Sequence, residues 1–115
     1  MDNLFDQVIV FDEGRPFFAA LRVLNREKLE ELLQQMNYQG SSKEALDDPL
    51  LVQLALERIE SQLSHFSGYA HIYRVHLLLE SWNVENGLLI PTMKLRRSRI
   101  LERYTAEIEQ LYIGH

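Results

Sequence analysis

Gln7-Val8-Ile9-Val10-Phe11-Asp12-Glu13-Gly14-Arg15-Pro16-Phe17-Phe18-Ala19-Ala20-Leu21-Arg22-Val23 is the stretch that decides the fold. Gln7 to Phe11 is dominated by β-branched and aromatic residues, the signature of a strand. Asp12 to Pro16 supplies a turn, because glycine takes positive φ without a clash and proline fixes the exit. Phe17 to Val23 reads as a second strand. A short turn between two strands makes an antiparallel hairpin. The second strand is apolar almost throughout, which predicts cover on both of its faces.

Helical signals follow. Asn25 is a suitable N-cap, and Leu29, Leu32, Leu33 and Met36 recur at helical spacing. Gly40-Ser41-Ser42 reads as a loop. Asp48-Pro49 starts another helix, with an Asp cap and proline in the first helical position. Val52, Ala55, Ile59, Leu63 and Phe66 form its apolar stripe, and Gly68 ends it. His71 to Leu79 reads as a third strand. Asn86-Gly87 predicts a second hairpin, flanked by Trp82–Val84 and Leu88–Ile90. A last helix carries Ile100, Tyr104, Ile108 and Leu111 on one face. The expected class is α+β: a small antiparallel or mixed sheet with a β-hairpin, packed by about three helices. The chain enters a strand almost at once, the pattern expected of a piece from a longer protein.

With 115 residues the chain suits one domain. It has no cysteine, which excludes disulfides, thiolate metal sites and cysteine nucleophiles. No apolar run is long enough to span a bilayer. The first residues lack the basic and apolar regions of a signal peptide. We therefore expect a cytoplasmic protein, or one peripheral to a membrane. A net charge of −5 argues against nucleic-acid binding. The charge is uneven, however. Lys94, Arg96, Arg97, Arg99 and Arg103 crowd one end and suggest a local anionic partner.

Glycine-rich phosphate loops are absent. The four histidines, His65, His71, His76 and His115, have no spacing that suits zinc, so no metal site is expected. No nucleophile elbow is present. There remains Ile90-Pro91-Thr92-Met93-Lys94-Leu95-Arg96-Arg97. Lys94 would project from a constrained loop ahead of a helix, where an ammonium can meet phosphate or carboxylate. On residue types alone, an ordinary surface lysine is the better reading, and spacing does not overturn it.

The segment from Val84 to Arg97 resembles the C-terminal motif of long-chain acyl-CoA synthetases, in the adenylate-forming superfamily with luciferases and peptide-synthetase adenylation domains. The resemblance continues through Arg103-Tyr104 and Ile108-Glu109-Gln110-Leu111-Tyr112. Val8 to Pro16, followed by Ala20-Leu21, is similar to the hairpin that follows the family's interdomain hinge. Two positions depart from the pattern. Met93 stands where many members have glycine, and Ile90 stands where the long-chain branch usually has a polar residue.

The resemblance implies that residues 1–115 form the C-terminal lid of a larger enzyme whose N-terminal adenylate-binding domain is absent. Lys94 is then the lysine of carboxylate adenylation, with Arg96 and Arg97 near phosphate or in docking. Glu85, Asn86, Gly87, Pro91 and Thr92 give structural support. The complete enzyme would use a fatty acid, ATP, Mg and CoA, and its lid would rotate for thioester formation. The piece alone binds no cofactor and is expected to be inactive. The competing expectation is a non-catalytic protein-interaction module that kept the fold.

Overall fold

A computed structural model describes residues 4–65 and 71–113. The readings placed on Phe66, Gly68 and His115 lie outside these residues.

Three strands form one mixed sheet in the order β1-β2-β3, with β1 Phe5–Phe11, β2 Phe18–Leu24 and β3 Ile72–Leu78. β1 and β2 pair antiparallel, as the hairpin reading required. Their turn is closed by the Arg15 amide donating to the Asp12 carbonyl at 2.6 Å. Gly14 sits at φ 67, which makes glycine the suitable residue there. β3 pairs with β2 in parallel. A parallel pair needs a long crossover. Helices α1 Arg26–Gln35, α2 Ser42–Ala45 and α3 Pro49–Leu63 supply it.

β2 lies in the middle, and Ala19, Ala20, Leu21 and Val23 are fully buried. Side chains alternate across a strand. Ala20 and Leu24 therefore face one core, built with Leu29 of α1 and Ala55 and Ile59 of α3. Ala19, Leu21 and Val23 face a second core, with Trp82, Leu88, Ile100 and Ile108. The expected cover on both faces is thus present. In β1 the register shifts between Phe5 and Gln7. That irregularity puts Phe5 against the first core, while Ile9 and Phe11 enter the second.

The Asn25 and Asp48 caps are made, with the side chains accepting from Lys28 N and Leu50 N. Helix α2 falls where a plain loop was expected. Ser41 and Glu44 form a reciprocal capping box, which stabilises even a single turn. The expected last helix is two helices, α4 Arg97–Arg103 and α5 Thr105–Leu111. Tyr104 leaves helical geometry between them, at φ −106 and ψ 27. Thr105 Oγ1 bonds back to the carbonyls of Leu101 and Glu102, and so competes with the regular ladder. Ile100, Tyr104 and Ile108 are still all buried, so the apolar stripe survives the break. Among the described residues, no helix is long and apolar enough to cross a membrane.

Candidate active-site loop

The hairpin expected at Asn86-Gly87 is not formed. Trp82–Val84 and Leu88–Ile90 are not paired strands. Asn83 prevents it, because its side chain caps the loop locally. Asn86 N donates to Asn83 Oδ1 at 2.8 Å, and Asn83 N donates to Asn86 Oδ1 at 3.0 Å. Asn86 Nδ2 donates to the Ser81 carbonyl at 2.8 Å. Gly87 stands at φ 78 and closes a turn with the Val84 carbonyl. Glu85 is exposed within that turn. Asn86 and Gly87 thus shape a compact loop, not a ribbon, which is a correction to the sequence reading.

The hairpin that carries Lys94 lies just beyond it. Leu89 and Leu95 form an antiparallel bridge. The Arg96 amide donates to Leu88 O at 2.9 Å, and the Ile90 amide donates to Lys94 O at 2.9 Å. The Met93 amide donates to Ile90 O at 2.8 Å, so Pro91 and Thr92 are the central turn residues. Proline presets φ for the first of these positions. Met93 then occupies the left-handed region at φ 68. A type I turn followed by a left-handed residue is a standard three-residue hairpin loop, and its last position favours glycine. This is the position where the resembling family often has glycine.

Both ends of this hairpin are anchored. Leu88 is buried, and Leu95 packs against the same core as Trp82 and Ile100. Pro91, Thr92, Met93 and Lys94 are exposed at the tip. Upstream, Gln7 ties the segment to β1. Its side-chain amide donates to Trp82 O and accepts from Trp82 N, both at 2.8 Å.

The basic cluster is only partly neutralised. Arg97 pairs with Glu13 of the β1–β2 turn at 2.6 Å. Burial pushes the Glu13 carboxyl up, but the Arg97 hydrogen bond and a backbone amide leave it below its ordinary value. Arg103 grips Glu80 through two bonds, of 3.0 and 2.7 Å. Tyr104 OH donates to the same carboxylate at 2.7 Å and accepts from Trp82 Nε1 at 3.3 Å. The tyrosine bond, with Arg103 beside it, holds Glu80 below the usual carboxylate range. Among the described residues, Lys94, Arg96 and Arg99 have no carboxylate partner. Arg96 is half-buried at the start of α4, and its side chain does not cap that helix.

Among the described residues, neither His71 nor His76 bonds to this loop. His71 contacts Glu60 at 2.9 Å. His76 is half-buried on β3, and burial lowers its pKa. Among the described residues, no group of three acids or histidines is placed to hold a metal. Sequence reasoning missed Gln7, Asn83 and Glu80 as supports of the loop. Asn83 was accessible, since two asparagines three residues apart can bond each other's backbone. Gln7 and Glu80 act across long sequence separations, and no local signal marks them.

The structure presents Lys94 outward on a core-anchored hairpin. Comparison with known proteins bears on the whole chain. No protein-family model matches the chain. It is 28% identical over 111 residues to a probable acyl-activating enzyme, chloroplastic, of Arabidopsis thaliana, covering 96% of this chain and 15% of that protein. It is 36% identical over 72 residues to a peroxisomal acyl-CoA ligase of Penicillium brevicompactum, covering 61% of this chain and 10% of the ligase. A similar solved structure is the adenylation domain of a carboxylate reductase from Mycobacterium chelonae. It has a TM-score of 0.66 at 25% identity, over 95% of this chain and 16% of that one. The chain is similar to a small part, 10 to 16%, of these acyl-activating, ligase and adenylation-domain proteins.

Proposed function

We propose that this chain is the C-terminal lid of an AMP-forming acyl-activating ligase and that Lys94 is its adenylation lysine. The observation that carries the reading is the exposed Lys94, without a carboxylate partner among the described residues, on a hairpin anchored at both ends. An ammonium without an internal partner is available to an external anion. Its loop loses little freedom when it docks, because core residues already hold it.

The chemistry calls for such a group. A carboxylate oxygen attacks the α-phosphorus of ATP, and the bond from that phosphorus to the bridging oxygen of pyrophosphate breaks. Acyl-adenylate forms and pyrophosphate leaves. Two anions must approach each other, and a lysine bridging carboxylate and phosphate oxygens offsets their repulsion. In this reading magnesium accompanies the triphosphate on the large domain. The larger part of each relative, outside the matched region, supplies that large domain in this reading. Arg96 and Arg97 stand as cations for phosphate or docking, with Arg97 already engaged by Glu13.

The second half-reaction transfers the acyl group to a thiol, after the lid turns and withdraws Lys94. We assign a long-chain fatty acid as substrate and CoA as thiol, in keeping with the sequence resemblance and the Penicillium acyl-CoA ligase. The test uses the enzyme complete with its large domain. Lys94→Ala should lower carboxylate-dependent pyrophosphate exchange by about a hundredfold or more, on the scale of a lost electrostatic contact at a reacting centre. Thioester formation from supplied acyl-adenylate should be retained. Equal loss of both half-reactions would remove Lys94 from this role.

A further inference from the structure

Met93 is held in a conformation it does not favour, and nothing within the described chain repays it. Its φ of 68 lies in the left-handed region, where a side chain with Cβ crowds the backbone. Met93 is 73% exposed, so its side chain recovers little burial. Glycine or asparagine would satisfy the same turn at lower cost. The backbone on either side is fixed. The Met93 amide donates to Ile90 O, and the next residue's carbonyl accepts from the Ile90 amide. The side chain therefore travels with Lys94 as one rigid tip.

We infer that Met93 is a positioning residue: an apolar anchor that seats the Lys94 tip against an apolar wall of the large domain. The inference rests on the lid reading above and deepens it. Methionine suits such a contact, being unbranched, polarizable and able to fill an irregular gap. Its burial exists only in the docked state, so it contributes to closure and not to folding. The anchor stands one residue from the ammonium, so its seating fixes where the ammonium lies. Loss of the anchor should weaken adenylation, which needs Lys94 docked, and spare the half-reaction from which the lysine is withdrawn.

Three substitutions separate side chain from backbone. Met93→Ala removes the anchor and keeps the left-handed strain. Met93→Gly removes both. Met93→Leu keeps an apolar anchor of similar size. In the enzyme complete with its large domain, pyrophosphate exchange should fall about tenfold in Met93→Ala and Met93→Gly, the order expected for an unburied methionine side chain. Met93→Leu should restore most of the rate. Thioester formation from supplied acyl-adenylate should be unchanged in all three. Wild-type exchange in Met93→Ala overturns the inference, since the side chain then contributes nothing. Leucine as poor as alanine overturns it too, and so does equal loss of both half-reactions. Lys94→Ala, measured beside them, separates the two ideas. If it leaves exchange intact, the lid reading itself fails. If it abolishes exchange while Met93→Ala does not, only the anchor fails.

Discussion

Met93 and Gly87 share left-handed backbone, at φ 68 and φ 78, and only one of them is glycine. For an L-residue the left-handed region costs about 1–2 kcal/mol. Glycine returns part of that through its greater freedom in the unfolded chain. Met93→Gly should therefore raise the urea midpoint of the chain by an amount equivalent to a gain of under about 1 kcal/mol. An unchanged or lower midpoint would mean that Met93 packs usefully in the isolated chain. Asn86 lies at the opposite extreme. Its Oδ1 accepts from the amides of Asn83 and Leu88, and its Nδ2 donates to Ser81 O. Asn86→Ala leaves the half-buried Asn83 amide without its acceptor, while the Leu88 amide keeps the Asn83 carbonyl, and should cost about 1–3 kcal/mol by denaturant unfolding. Asn86→Asp keeps the acceptor and should cost clearly less. Equal losses in the two variants would show that the amide finds another partner.

Between α4 and α5 the decisive contact is Tyr104 OH, which joins Glu80 to the indole of Trp82. Tyr104→Phe strands the buried indole N–H, at a cost of about 1–3 kcal/mol. The effect should depend on pH. The tyrosine hydroxyl and then Arg103 hold Glu80 below its ordinary value. A carboxyl lowered in the folded state stabilises above its unfolded pKa of about 4.3 and loses that contribution as pH falls through the folded value. The gap in stability between wild type and Tyr104→Phe should thus be widest near neutrality and narrow below pH of about 4. Glu80 is 43% exposed at its side chain, so solvent screening keeps this pH-dependent part small. A gap independent of pH would show that only the indole bond matters. The same elements show what could be read from the residues. The β1–β2 hairpin and the starts of α1 and α3 rest on local chemistry, and Asn25, Asp48 and Pro49 announce it. At the break, Thr105 bonds back locally, but Tyr104 is held by Glu80 and Trp82, more than twenty residues away, which a periodicity argument cannot see. The Asn86-Gly87 signal was read correctly as a turn and wrongly as a ribbon, because Asn83 competes for the same amides. The motif alone singles out Lys94 as a candidate. Its presentation on the Pro91-Thr92 turn, and the tether from Gln7 to Trp82, needed the folded chain.

The whole molecule is two cores that share one strand. Leu29 lies in the core beneath α1 and α3, and Leu21 lies in the core that holds Trp82, Leu88 and Leu95. β2 contributes to both, with Ala20 and Leu24 on one face and Ala19, Leu21 and Val23 on the other. Removing either core exposes one face of the same buried strand, so neither half should persist alone. That coupling matters for Lys94, because its hairpin is anchored in the second core, and the first core keeps β2 in place beneath it. Leu29→Ala should cost about 2–5 kcal/mol, as should Leu21→Ala. The chain has a single tryptophan, and it reports on the second core alone. Its fluorescence should nevertheless shift in Leu29→Ala, by the same amount as the far-ultraviolet circular dichroism of the whole chain. Coincident transitions are the mark of one cooperative unit. If Trp82 fluorescence kept its wild-type midpoint while the dichroism moved, the cores would be independent, and the Lys94 loop would need only its own side of the sheet.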